Sequence, residues 1–183
     1  LALGLSYLRA GGVAEPAAPF LREAARESDE TVNLAQLDGT DIVYIGRIPS
    51  RHIISADLLV GTRYPAWCTA MGHAMLAHID EEQARDILAR SNRIPYTAHT
   101  VTALEQILAL IREARQAGFS FVADQIYLGD FTVAAPIFGP SHEPIAALGI
   151  TGLASRHERN EFKARMGRLV MDTAGAISAT LGR

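Results

Sequence analysis

Residues 61–77 read Gly-Thr-Arg-Tyr-Pro-Ala-Trp-Cys-Thr-Ala-Met-Gly-His-Ala-Met-Leu-Ala, and this stretch decides the fold because it carries an extended segment directly into a helix. Thr69 is the expected N-cap of that helix, since its hydroxyl can accept a hydrogen bond from an amide two or three residues on. Ala70 and Gly72 are small and leave the free amides of the first turn approachable. We therefore expect a carboxylate to bind at this turn, with the helix dipole adding a favourable field.

The same stretch resembles a signature of the effector-binding domain of IclR-type transcriptional regulators. That signature runs glycine, small, basic, hydrophobic, proline, and then a Thr/Ser-Ala/Gly-x-Gly helix start. Two further blocks match as well, at residues 118–137 and 146–152, so the resemblance covers nearly the whole chain. The aromatic variant at residues 64–69 is most similar to the regulators of aromatic-acid catabolism. The resemblance implies a GAF-like or profilin-like fold that binds a small organic acid as its effector.

The composition is that of one globular domain. The chain has 183 residues, of which 49% are hydrophobic and 20% are charged, which suffices for one sizeable core. Its longest apolar runs fall far short of the roughly 20 residues of a membrane-spanning helix, so we expect a cytoplasmic protein with no membrane partner. The single cysteine, Cys68, excludes an internal disulfide framework and a cysteine-based structural zinc site.

The net charge of −3 offers no basic face for nucleic acid. The regulators that this chain resembles carry a winged helix-turn-helix ahead of the domain, and DNA would be bound only through that missing part. We expect residues 1–12 to be the linker helix toward it and residues 13–183 to be the effector-binding domain. The apolar character of the connecting helix indicates self-association into a homodimer or homotetramer.

Periodicity along the chain predicts an α+β fold. Leu1, Leu5 and Leu8 recur at helical spacing until Gly11-Gly12 ends the first helix, and a second helix follows with Pro19 in its first turn. Strands are predicted at residues 31–37, 41–48, 51–55, 119–124, 131–138 and 144–151. Helices are predicted at residues 69–78, 81–89, 103–116 and 156–181. This order favours a curved antiparallel sheet of about six strands, with the terminal helices on one face and the middle helices on the other.

The resemblance also implies a set of ligand-binding positions, to which we add Trp67 as an apolar wall and Cys68 as an inert thiol. The complete predicted set is Ile53, Ala56, Tyr64, Trp67, Cys68, Ala70, Met71, Asp130, Thr132, Gly149 and Thr151. Backbone amides at Ala70 and Met71 suit a carboxylate, and threonine hydroxyls suit further polar groups. Val122 stands where relatives with small keto-acid ligands show an acidic residue, which favours a ligand with a hydrophobic body such as an aromatic ring.

An enzyme on the same scaffold is the alternative, a thiol hydrolase or reductase with Cys68 as its nucleophile. No motif pairs Cys68 with a base, and a reductase would need a second cysteine. The six histidines lack metal-ligand spacing, and no glycine-rich phosphate loop occurs. We therefore expect no catalytic residue, no metal and no cofactor. The sequence leaves open which acid binds, whether it activates or represses, which oligomer forms, and whether a metal site forms in space.

Overall fold

One antiparallel sheet of six strands forms the centre of the domain. The structure is a computed structural model that describes residues 2–52 and 59–182, with side chains from residue 12 onward. The strands are β1 (Thr31–Asp38), β2 (Asp41–Ile48), β3 (Arg63–Pro65), β4 (Ser120–Ala123), β5 (Asp130–Phe138) and β6 (Pro144–Leu153). Their order in the sheet is β3-β2-β1-β6-β5-β4. The predicted six-stranded α+β fold is confirmed.

Within the described ranges, five helices cover the two faces of this sheet. They are α1 (Ala2–Ser28), α2 (Ala70–Leu76), α3 (Glu81–Arg90), α4 (Leu104–Ala117) and α5 (Arg159–Leu181), with one 3₁₀ turn at Ala66–Cys68. The terminal helices α1 and α5 pack on one face, and α2 with α4 behind it packs on the other, as predicted. Within the described residues, no helix combines the length and the apolarity needed to cross a bilayer.

Two short sequence signals lie at predicted element boundaries, one between the strands predicted at residues 31–37 and 41–48 and one after the helix predicted at residues 103–116. Asp38-Gly39 turns β1 into β2, and Gly39 has a φ of +65°, which glycine adopts at no steric cost. Gly118 ends α4 with a φ of +81°, and its amide donates to the carbonyl of Ala114. Both signals act over a few residues and do not depend on packing elsewhere.

The predicted helix break at Gly11-Gly12 is wrong, because α1 runs without interruption from Ala2 to Ser28 through both glycines and through Pro16 and Pro19. Proline inside a helix removes a backbone hydrogen bond and costs about 3 kcal/mol. The buried stripe of α1 lies against the sheet and consists of Val13, Ala17, Leu21 and Ala24. Burying such a stripe stabilises the helix enough to override the local propensities.

The predicted third strand at residues 51–55 is also wrong in the part that the structure describes. Arg51 and His52 form a turn, whereas Ile53 and the residues after it to position 58 lie outside the described residues. Both side chains of the turn bond to the carboxylate of Asp29, at 3.1 Å from Arg51 and 2.7 Å from His52. The third strand is formed later by Arg63–Pro65, where Tyr64 lies opposite Ile42 of β2.

Candidate functional site

A cavity of about 260 Å³ lies between the sheet and the first turn of α2. Pockets for drug-sized ligands start at about 300 Å³, so this cavity suits a smaller molecule. A larger open groove of about 680 Å³ runs along the surface between α1 and α5, with walls of charged residues such as Glu23 and Arg165. None of the predicted site residues that the structure describes lies in that groove, so the smaller, partly enclosed cavity is the candidate site.

The structure brings most of the predicted site residues together in this cavity. Those that line it are Tyr64, Cys68, Ala70, Met71, Asp130, Thr132 and Thr151. Gly149 lies on β6 beneath Met71, where an added Cβ would come within 3.1 Å of the Met71 side chain. Trp67 is buried in the core and is not part of the lining. Ile53 and Ala56 lie outside the described residues.

The cavity exists because the inward-facing residues of the strands change from polar to small along each strand. On β5, Asp130 and Thr132 are followed by Ala134, and on β1, Thr31 is followed by Ala35 at the same face. Side chains alternate between the two faces of a sheet, so these residues share one face. The small residues allow α2 to pack closely, and the seven-residue α2 leaves the polar ends uncovered.

Two threonine hydroxyls meet on the floor of the cavity. Thr132 and Thr151 are register partners on β5 and β6, and their hydroxyl oxygens are 3.0 Å apart. Thr31 pairs with Thr151 on the other side of β6 and also lines the cavity. A hydroxyl can donate one hydrogen bond and accept two, so the floor retains capacity for a polar ligand group.

The start of α2 has the cap that the sequence predicts. The Thr69 hydroxyl accepts from the amide of Gly72 at 3.2 Å and donates to the carbonyl of Pro65 at 3.0 Å. The amide of His73 bonds to the carbonyl of Thr69 at 2.9 Å. The amides of Ala70 and Met71 have no acceptor among the residues that the structure describes. Two donors of the first turn thus border the cavity. The binding of a ligand carboxylate at these amides stays a prediction.

Arg47 is the main cavity residue that the sequence did not reveal. Its Nη1 donates to Oδ1 of Asn33 at 3.0 Å, and both side chains line the cavity. If side chains alternated strictly along β2, Arg47 would lie on the face opposite to that of Ile42 and Tyr44. A bulge shifts the register between Leu34 and Ala35 of β1, and this brings Arg47 opposite Asn33. The only sequence signal for this polar face was the alternation of Thr31 and Asn33 on β1. That signal leads to Arg47 only when the register between β1 and β2 is known.

Asp130 is the acidic group among the described residues of the lining. Burial raises the pKa of its carboxyl to about 7, and the negative charge of Asp124 adds to the effect. Near neutral pH, Asp130 is therefore divided between a neutral form that can donate a hydrogen bond and an anion. Among the described lining residues, the cationic Arg47 thus accompanies a carboxyl whose charge depends on pH.

This shift in pKa predicts a pH-dependent effect of Asp130→Asn. The pKa of about 7 in the folded protein lies above the ordinary carboxyl value of 3.8, so the contribution of Asp130 to stability decreases as pH rises from about 4 to 7. The variant lacks that loss. After a discount for partial exposure, it should gain about 1–2 kcal/mol over the wild type between pH 4 and pH 8. Urea unfolding across this pH range measures the gain. Parallel curves would contradict the prediction, and the exposed Asp86→Asn is the control.

Tyrosines form one wall of the cavity, and sequence reasoning identified only one of them. Tyr44 of β2 and Tyr127 of the β4–β5 loop join Tyr64, and the rings of Tyr44 and Tyr64 lie 5.8 Å apart. Burial raises the pKa of Tyr44 to about 12 and also raises that of Tyr64. Both hydroxyls keep their protons at physiological pH and remain hydrogen-bond donors.

Cys68 has the environment of an inert thiol. Burial raises its pKa to about 12, so the nucleophilic thiolate is not populated near neutral pH. The nearby His73 does not serve it as a base, because His73 Nε2 lies 2.7 Å from the carbonyl oxygen of Trp67. Within the described part of the chain, no three acidic, histidine or cysteine side chains are grouped to hold a metal. The geometry supports ligand binding and gives no support to thiol catalysis.

Known proteins resemble this chain in both sequence and fold. The Pca regulon regulatory protein of Pseudomonas putida is 35% identical over 90% of this chain and 57% of its own length. The HTH-type transcriptional repressor AllR of Escherichia coli strain K12 is 29% identical over 98% of this chain and 66% of its own length. The crystal structure of Thermotoga maritima IclR superposes with a TM-score of 0.87 at 25% identity, covering 92% of this chain and 68% of that one.

This chain therefore spans less than two thirds of the length of those two curated relatives. Both relatives are named as regulators, which confirms the prediction of a non-enzymatic domain. A family model described as bacterial transcriptional regulator IclR C-terminal matches residues 5–179. The chain thus belongs to the IclR family of bacterial transcriptional regulators, as the C-terminal domain of that family.

Proposed function

We propose that this domain is the ligand sensor of a cytoplasmic transcriptional regulator, and that its ligand is a small organic acid bound in the cavity. The observation that carries the proposal is the presence of Arg47 in the lining of a partly enclosed cavity of about 260 Å³. Arginine recognises carboxylates with a planar pair of donors and keeps its charge at every physiological pH.

The cationic side chain among the described lining residues supports an anionic ligand. Arg47 is always cationic, whereas Asp130, with its pKa of about 7, is partly neutral at physiological pH. The amides of Ala70 and Met71 add donors from the first turn of α2. Because α2 has only seven residues, we assign most of the attraction to Arg47 and not to the helix dipole. Affinity for an acid should then weaken as pH rises through about 7 and Asp130 becomes an anion.

The apolar part of the cavity supports a ligand with a hydrophobic body. Met71, Val122, Ile126 and Leu153 line it together with the tyrosine rings. Such a wall would bury the ring of an aromatic acid, and the threonine hydroxyls on the floor would bond to polar substituents. We therefore favour an aromatic acid over a short keto acid.

The position of the cavity suggests how the binding of a ligand would affect the binding of DNA. Thr31 lines the cavity, and α1 ends only three residues earlier, at Ser28. In the proposed regulator, α1 leads toward an N-terminal winged helix-turn-helix that contacts DNA, within a homodimer or homotetramer. A ligand shifts the arrangement of α1 only if its affinity differs between the two arrangements.

Arg47→Gln tests this function. Glutamine can still bond to Asn33 but carries no charge, so the fold should persist while the charge-assisted bond to the acid is lost. Affinity for the tightest acid of an aromatic and aliphatic panel should fall about 10- to 100-fold, as expected for one bond to a charged group. Isothermal titration calorimetry measures the affinity.

The matched control is Arg63→Gln, since Arg63 lies on the adjacent strand β3, pairs with Asp38 and Asp41, and does not line the cavity. This control should bind the acid as the wild type does. The proposal fails if no acid of the panel binds the wild type, or if Arg47→Gln binds as tightly as the wild type.

A further inference from the structure

We propose that Tyr127 is a specificity-determining gate which, held against Tyr64, closes the mouth of the cavity and limits the length of the acid that the domain accepts. The inference rests on the proposed function, because it concerns the same cavity. Its physical basis is a hydrogen bond between the two phenol groups, whose hydroxyl oxygens are 2.8 Å apart.

This hydrogen bond joins parts of the domain that are far apart in the sheet. Tyr64 belongs to β3 at one edge of the sheet, and Tyr127 belongs to the loop that leads from β4, at the other edge, into β5. Both side chains line the cavity. The two tyrosines can meet only because the sheet curls, so their contact spans the open side of the concave face.

The exposure of the lining residues places the mouth at this pair. Tyr127 is 51% exposed and its neighbour Leu128 is 69% exposed, although both line the cavity. In contrast, Asn33 and Met71 are each only 2% exposed. The cavity therefore runs from a buried inner end at Asn33 and Met71 to a rim at Tyr127 and Leu128.

Tyr64 is the fixed member of the pair. Its backbone pairs with Ile42 of β2, and its ring lies against Tyr44, whose side chain is buried. The backbone of Tyr64 is thus held by β2 and its ring has a neighbour in Tyr44, so we assign the movement that opens the mouth to Tyr127.

The base of the Tyr127 loop is anchored. The amide of Gly129 donates to the Asp124 carboxylate at 2.6 Å, and the Thr100 hydroxyl donates to the carbonyl of Gln125 at 2.6 Å. The Thr97 hydroxyl donates to the carbonyl of Asp124. With its base fixed in this way, the loop leaves side-chain rotation of Tyr127 as the motion that opens the mouth.

A gate of this kind has two separable properties. The hydroxyl pair contributes one hydrogen bond between neutral groups, so its loss should speed ligand dissociation by about two- to tenfold. The ring of Tyr127 contributes volume at the rim, so its loss should allow a longer ligand to extend past the mouth. An acid too long for the closed cavity would have to displace the ring and forfeit the hydrogen bond.

The experiment uses arylalkanoic acids of increasing chain length, from benzoate to phenylbutanoate, titrated calorimetrically into the wild type, Tyr127→Ala and Tyr127→Phe. In the wild type, affinity should drop about tenfold or more beyond one length. Tyr127→Ala should move that limit to a longer acid. Tyr127→Phe should keep the limit and release the bound acid faster in stopped-flow measurements. Ile94→Ala and Tyr96→Phe, both at exposed residues outside the lining, are the matched controls.

The outcomes separate the two proposals. If acids bind and the length limit is the same in the wild type and Tyr127→Ala, or if the wild type shows no limit, the gate is overturned and the sensor function stands. If no acid binds any of the proteins, both proposals fall. If Tyr127→Ala does not fold, Tyr127→Phe still decides, since a dissociation rate equal to that of the wild type overturns the gate.

Discussion

Replacement of Gly72 by alanine is expected to prevent the domain from folding stably. An added Cβ would lie 2.1 Å from the carbonyl oxygen of Ala66 and 2.5 Å from its Cα. Both are backbone atoms of the 3₁₀ turn, and that turn cannot move aside easily, because Ala66 is fully buried and its amide bonds to the carbonyl of Thr40 at 2.9 Å. We expect a loss of about 4 kcal/mol or more, a large share of the roughly 5–15 kcal/mol by which an ordinary domain is stable.

The matched control is Gly175→Ala on α5. No atom lies within 4 Å of the Cβ that alanine would add there, so the same substitution should stabilise the helix by about 0.5–1 kcal/mol. Far-UV circular dichroism with thermal melting of both variants measures the contrast. A Gly72→Ala protein that melts at the same temperature as the wild type would contradict the close contact between α2 and the 3₁₀ turn.

The second large effect is expected from Arg156→Met. The Glu30 side chain is fully buried, and its Oε1 lies 2.5 Å from Arg156 Nη1 and 2.6 Å from His157 Nε2. Its Oε2 has no hydrogen-bond partner among the described residues. Removal of the arginine leaves a buried carboxylate with His157 alone, so we expect a loss of about 2–4 kcal/mol. In a domain of this size, the melting temperature should fall by about 5–15 °C.

Arg112→Met serves as the matched control for this loss. Arg112 is 2.5 Å from Glu81, but both side chains are about half exposed, so breaking that pair should cost less than about 1 kcal/mol. The double variant Glu30→Gln, Arg156→Met should recover part of the stability, because the unpaired charge is then absent. Equal melting temperatures for Arg156→Met and Arg112→Met would refute the role assigned to burial.

This buried ion pair also bears on signalling by the domain. Glu30 follows the end of α1 by two residues and precedes Thr31, which lines the cavity. Arg156 and His157 precede α5, which packs against α1. The ion pair thus ties the start of β1 to the start of α5, beside the cavity. A rigid connection at this point would favour transmission of a ligand-dependent shift to α1.

Local chemistry made most of the element boundaries predictable. The Asp38-Gly39 turn, the Gly118 terminus and the Thr69 cap each depend on interactions within a few residues, and each is found in the structure. The α1 helix was mispredicted because the helix-breaking cost of Gly11-Gly12 is local, whereas the stabilisation from packing against the sheet is not visible in the chain.

The cavity was predictable in part for the same reason. The residues at the start of α2 and the threonines of β5 and β6 lie in recognisable sequence blocks and do line the cavity. Arg47 and Tyr127 were missed. The face that Arg47 occupies depends on a β-bulge, and the contact of Tyr127 with Tyr64 depends on the curl of a sheet that brings opposite edges together.

The sequence by itself determined the family, the order of the elements after α1, and the cap that begins α2, because these follow from short-range hydrogen bonding and from a pattern carried by contiguous residues. Only the tertiary structure decided which side chains share the cavity, that α1 is continuous, and that Glu30 is buried against Arg156. Those features arise from strand register, curvature and burial, which are set by contacts between residues that are distant in the chain.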